Sequence, residues 1–284
     1  MLTTLVVVSH RRTRVDVDNL ALWRNMGLLI NDDGGLTLDD GPQSLSSTPE
    51  HARDKVLAYT LIRLLCKLVC YIAPGPQPLS DPHVIPTAGH HSLIQNEANF
   101  LHLENEFDTW IQLLSPSFHP DGTFYSNIAG ATTGTLTQDG VLFSFEHWFS
   151  NDLCSTIVLY YHMARMLLLI HRPPNLMTTP PSSLTARAAP TTDLLRTFQD
   201  IQRKLQHHAA QVIATVRGSP CEAVRVRAIQ PLYVAGRCCT KTEDRRRLLG
   251  MLTDIQDRLG IATGYRVEAL LAEWDVSRQD LGVG

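Results

Sequence analysis

Twelve histidines, six cysteines and two aspartate doublets are the side chains in this chain that could ligate a metal or carry a reaction. Each group fails on spacing. A zinc site needs three or four convergent ligands, whereas His90-His91 falls in a Pro/Gly-rich stretch and His207-His208 points to two faces of one helix. Cys66, Cys70, Cys154, Cys221, Cys238 and Cys239 include no Cys-x-x-Cys pair. Cys66 and Cys70 share a helix face at i, i+4, but two thiolates without a second pair make a poor zinc site. Buried, reduced thiols are the expectation. Asp32-Asp33 and Asp39-Asp40 raise an alternative, a magnesium-dependent all-α enzyme of isoprenoid type. Such an enzyme needs a third carboxylate on a helix end, and both doublets sit in Gly-rich, turn-like sequence without one. There is no phosphate loop, dinucleotide fingerprint, metalloprotease helix or nucleophile elbow. The chain reads as a non-enzyme.

Side chains suited to binding rather than reaction are better represented. Trp110, Phe118, Phe143, Phe145, Trp148 and Tyr161 crowd the middle third. They fit either a packed core or the lining of a small-molecule effector pocket beside an apolar helix. Arg245, Arg246 and Arg247 follow Glu243-Asp244 on the first turns of a helix, as a solvated face or as a contact for a phosphate or coregulator. His10-Arg11-Arg12-Thr13-Arg14 is a short basic run of the nuclear-import kind.

The elements that position these residues read as helices. The chain has 284 residues, 44% of them hydrophobic and 19% charged, with a formal net charge of -3. That is a globular balance with no global field for nucleic acid, so direct DNA contact by this chain is not expected. A first helix is expected within 15–30. A second is capped by Thr48 and Pro49, carries Leu57, Leu61, Leu64, Leu68 and Ile72 on one stripe, and stops at Pro74-Gly75-Pro76. A third spans 92–114 with the stripe Asn96, Phe100, Leu103, Phe107, Trp110 and Leu114, leaving Glu104, Glu106 and Asp108 off it. A long connection over 115–144 holds enough aromatics to pack on itself.

The central helix, from Asn151-Asp152 to Arg172, is apolar on nearly every face. Residues 153–170 reach the minimal length of a membrane span, which gives a membrane-associated alternative. His162 and Arg165 near the middle, with Arg costing about 2.5–3.5 kcal/mol there, favour a buried core helix and no membrane. Beyond a Pro/Ser/Thr-rich linker, Leu194, Phe198, Ile201, Leu205, Ala209, Val212 and Val216 form a stripe ended by Gly218 and Pro220. Helices follow over 223–239, broken or restarted at Pro231, and from a Thr242 cap to Gly260. Val267, Leu270, Leu271 and Trp274 close the fold. The run 5–8 is the one strand-like stretch. The fold class is all-α, a multi-helix bundle with long packed loops. Its expected divisions are an ill-defined N-terminal segment (1–47), the two halves of the helical core (48–172 and 193–276), the linker between them (173–192) and a tail (277–284).

Four local patterns resemble the regulatory region of fungal zinc-cluster transcription factors, the fungal-specific transcription factor domain. They are Trp110 with Leu113-Leu114 and Pro116-Ser117-Phe118, and Trp148-Phe149 running into Tyr160, Tyr161-His162 and the stretch from Leu167 to Pro173. Gln230-Pro231-Leu232-Tyr233-Val234-Ala235-Gly236 is the third, and the fourth runs from Leu252 through Thr263-Gly264-Tyr265 to Trp274. The resemblance covers about 20–274. It implies a nuclear, non-catalytic regulatory domain that works with coregulators or a DNA-binding partner and can take a small-molecule effector. The family's six-cysteine zinc module matches nothing in this chain. Zinc is therefore expected only in a module outside it, and no zinc or DNA-contact residue carries over. On that basis the chain is the regulatory part of a longer factor, a truncated gene product, or a paralogue without a DNA-binding end.

Overall fold

The computed structural model describes residues 20–25, 50–73, 88–125, 142–177 and 190–282. The fold is all-α with one small antiparallel sheet. The chain forms two compact units: 1–114 with 171–176, and 115–170 with 177–284. The aspartate doublets, the basic run at 10–14, the apolar run 5–8 and the Thr48-Pro49 cap lie outside the described residues.

The first unit contains α1 (Leu20–Asn25), α2 (Glu50–Ile72) and α3 (Ala88–Gln112). On α2 four of the five expected stripe residues, Leu57, Leu61, Leu64 and Leu68, are buried, as is Leu65, whereas Ile72 is only partly covered. From α3 come Phe100, Leu103, Phe107 and Trp110, all buried, and the Trp110 indole Nε1 donates to the Leu57 carbonyl at 3.0 Å. Three details of the stripe differ from expectation. Leu114 lies beyond the end of α3 and is only partly covered. Asn96 is exposed, and Glu106 is buried against α2, where its carboxylate accepts both 2.6 and 2.8 Å bonds from Lys67 Nζ. The 171–176 segment completes the unit. Tyr71 donates to the His171 carbonyl at 3.0 Å, and the Arg172 guanidinium lies 5.6 Å over the Phe100 ring.

In the second unit a 3-10 turn (Pro116–Phe118) leads to β1 (Gly122–Tyr125), which pairs antiparallel with β2 (Phe145–Trp148). These strands correct the expectation of a strandless connection. Each is four residues long, too short for alternation to show in sequence. Then come α4 (Asp152–Ile170), α5 (Pro190–Gly218), α6 (Glu222–Arg227), α7 (Ile229–Arg237), α8 (Thr242–Leu259) and α9 (Gly264–Trp274).

α4 starts where Asn151 Oδ1 accepts from the amides of Leu153 and Cys154. It is long and apolar enough to cross a membrane, yet 78% of that stretch is buried inside the fold. Its neighbours are α5, α6 and α7. α5 packs closely because it presents Ala209, Ala210, Ala214 and Thr215 beside Val212 and Ile213. At its end Gly218 lies so near β2 that a Cβ there would sit 2.1 Å from the His147 carbonyl oxygen. By contrast Leu194 and Phe198, assigned to the same stripe, are exposed.

The break in the next helical stretch falls at Ala228, three residues before Pro231, not at the proline. The proline sits in the first turn of α7, where its missing amide costs nothing. Lys241 rather than Thr242 is the N-cap of α8, with no side-chain cap bond, so Thr242 is already helical. Gly260 ends α8 at φ 67°, as the glycine stop predicts. Thr263 then ties α9 to α8, its hydroxyl donating to the Leu252 carbonyl at 2.7 Å. The Trp274 indole bonds the Gly236 carbonyl at 3.1 Å.

Candidate functional site

The six aromatics singled out by the sequence fall in both units. Trp110 is a core residue of the first. The other five belong to the second, where Phe118, Phe143 and Tyr161 are buried, Phe145 is partly covered and Trp148 is 43% exposed. Phe143 lies under two cations, with the guanidinium of Arg217 at 5.8 Å and that of Arg247 at 5.6 Å from its ring. Phe145 meets Tyr125 and His147, with ring centroids 6.3 and 5.0 Å apart. The face of the sheet that carries Phe124 and Trp148 is turned outward, and both rings are exposed.

The arginine triplet is engaged within the fold. Arg245 Nε donates to the Cys239 carbonyl at 3.1 Å, and its guanidinium stacks 5.1 Å from Trp274. Arg246 Nε donates to the Leu281 carbonyl at 2.6 Å, and Arg247 Nε bonds Glu243 at 2.8 Å. Arg246 also pairs with Glu243, and these bonds, that of Arg247 foremost, hold the Glu243 carboxyl below its usual range. Such exposed pairs contribute little stability. The geometry instead shows three cations tying α8 to the chain ahead of it, to the C-terminal segment and to Phe143.

What the sequence missed is a seam of imidazoles between α4 and α5. His162 Nδ1 and His208 Nδ1 are 2.9 Å apart, so one ring donates and the other accepts. The His207 ring centroid lies 5.3 Å from that of His208 and 6.3 Å from that of His162. Tyr161 meets both seam rings edge-on, at 5.2 and 6.3 Å. The adjacent pair thus divides, His207 toward solvent and His208 into the seam. Burial, with the nearby cations adding to it, pushes the His208 imidazolium down to about 3 and holds His162 well below its ordinary value.

A fourth imidazole, His147, spans two elements. Its Nδ1 meets the Thr123 hydroxyl at 3.0 Å and its Nε2 meets Gln211 Oε1 at 2.9 Å. Burial lowers its pKa as well. The helical register of His162 on an apolar helix and of His208 at a Leu205–Val212 stripe was the available signal. Placing the two opposite one another needs the tertiary pairing.

Among the described residues no group of three or more His, Cys, Asp or Glu is placed to hold a metal ion. All six cysteines are free thiols. Burial pushes the thiol of Cys238 up to about 12 and that of Cys66 to about 11. A cleft of about 260 Å³ beside Cys238 is lined by Ile170, Leu205, Arg237 and Glu273 among others. It is smaller than the ~300–1,000 Å³ typical of drug-sized ligands, and an Arg237–Glu273 ion pair of 2.6 Å lies in its wall.

The chain is similar to the transcription activator AMTR1 of Alternaria alternata, with 27% identity over 284 aligned residues and 96% of this chain covered. It spans about a third (34%) of that relative's length. No family model matches, and no solved structure matches.

Proposed function

We propose that this chain is a non-catalytic regulatory and interaction domain of a fungal transcription regulator. It acts in the nucleus and biases the output of an attached or partner DNA-binding module through coregulators. The observation that carries this reading is the similarity to a transcription activator across 96% of the chain. A helical fold in which most of the singled-out aromatics and the arginine triplet are engaged within the fold supports it. On this reading zinc belongs to the DNA-binding module. A small-molecule effector would enter beside the aromatics of the second unit.

The test is to fuse residues 1–284 to a heterologous DNA-binding domain and read a reporter in a filamentous fungus. A change of at least severalfold, in either direction, is the expected outcome. Reporter output equal to the DNA-binding domain alone, with the fusion folded and nuclear, would overturn the proposal.

A further inference from the structure

The longest helix of the second unit, α5, is held against the most buried one, α4, across the histidine seam. Helix seams of this size are ordinarily aliphatic, so two imidazoles sharing one hydrogen bond there are chemically conspicuous. A 2.9 Å Nδ1–Nδ1 contact exists only while at least one ring keeps a free lone pair on that nitrogen. Two imidazolium rings would set two N–H groups against each other at that distance.

The surroundings make a second proton unwelcome. α4 contributes the Arg165 cation and the Tyr161 ring; α5 contributes His207 and Lys204; β2 contributes His147. From α6, Arg227 acts on neighbouring Tyr160, and after α7 the Cys238 thiol rests on Met166 at 3.8 Å. Among the described residues, every charged group acting on His162 or His208 is a cation or a potential one. None of the described carboxylates acts on either ring.

We infer that the His162–His208 pair is an acid-sensitive latch: neutral, it closes α5 onto α4, and its protonation opens that seam and loosens the second unit. The sign follows from proton linkage. The folded pair resists protonation, whereas unfolded histidine takes a proton near pH 6.5, so opening takes up protons. Stability is therefore complete above about pH 7 and is lost as pH falls through 6.5 toward 5. Over pH 7.5 to 5.0 the one proton that the contact excludes raises the opening constant about thirtyfold. Aspartate and glutamate titrate mostly below this window.

The experiment is amide hydrogen exchange on the full chain at pH 7.5 and 5.0, corrected for intrinsic rates, with the H162N/H208N double variant alongside. Asparagine keeps a hydrogen-bonding atom near the Nδ1 position but does not titrate. Expected is a collapse of protection in α4 and α5 of the wild type at pH 5.0, with most of that pH effect gone from the variant. Unchanged wild-type protection, or an equal collapse in the variant, would overturn the inference. Should the variant not fold, imidazole C–H titration of the folded wild type decides. Both rings staying neutral until the seam opens supports the latch, and ordinary titration near pH 6.5 in an intact fold removes it.

Discussion

At the scale of single residues, Glu106 is a carboxylate set among buried apolar side chains. It lies at 4% exposure with Lys67 Nζ as its partner, and Lys67 itself keeps 19%. Glu106→Gln preserves the volume and removes the charge that the Lys67 ammonium bonds. The expected cost is about 2 kcal/mol in urea denaturation, below the 3–5 kcal/mol of a fully buried pair because the lysine retains some water. The Lys67→Met/Glu106→Leu pair should recover a kcal/mol or more, since replacing both partners removes the desolvation term. Trp110→Phe loses the bond to the Leu57 carbonyl and leaves part of the indole volume empty, for about 2 kcal/mol in the same assay. Trp110 was legible in the sequence because its burial follows helical period. Glu106 was not, because a charge flanking a stripe looks solvated until the lysine opposite it, 39 positions away, is known.

At the scale of elements, three glycines rank how closely helices approach. Gly218→Ala drives a Cβ into the backbone of β2, at 2.1 and 2.6 Å from His147 O and C, where nothing flexible can yield. A loss of roughly 3 kcal/mol or more is expected, with the Thr123–His147–Gln211 chain disrupted. Gly236→Ala meets only the methyl ends of Leu270 and Leu248, at 2.8 to 3.0 Å, and should cost about 1–2 kcal/mol. Gly250→Ala, exposed in α8 with nothing within 4 Å, should stabilise by about 0.5–1 kcal/mol. Thermal unfolding of the three variants checks both order and sign.

Helix existence was readable from period, and the stop at Gly260 from its type. The two strands were not, since four residues carry only two alternations and their pairing partners lie 20 to 26 positions apart. Nor was the Ala228 break, because a proline tolerated in a first turn looks the same in sequence as one that ends a helix.

At the scale of the whole molecule, the thiols report on each unit separately. Cys66 and Cys70 lie in the first, and Cys154, Cys221, Cys238 and Cys239 in the second. Brief native alkylation at pH 7.5 followed by mass spectrometry should label exposed Cys70 first. It should spare Cys154, Cys238 and Cys239, which are buried, the last two with thiols held far from ionising. Labelling of Cys238 as fast as Cys70 would show that the second unit opens readily at neutral pH.

The first unit is assembled from two stretches of chain separated by the strands and all of α4. Its own Tyr71 and Phe100 wait for the His171 carbonyl and the Arg172 guanidinium. On the ribosome, α2 and α3 emerge well before the short piece that finishes their unit. Roughly sixty residues intervene, or about 3–12 s at 5–20 residues per second. For that interval the nascent chain carries an incomplete helical pair while the most apolar of the described helices is being synthesised. Birth order thus exposes this chain to chaperone capture at one defined length, near the completion of α4.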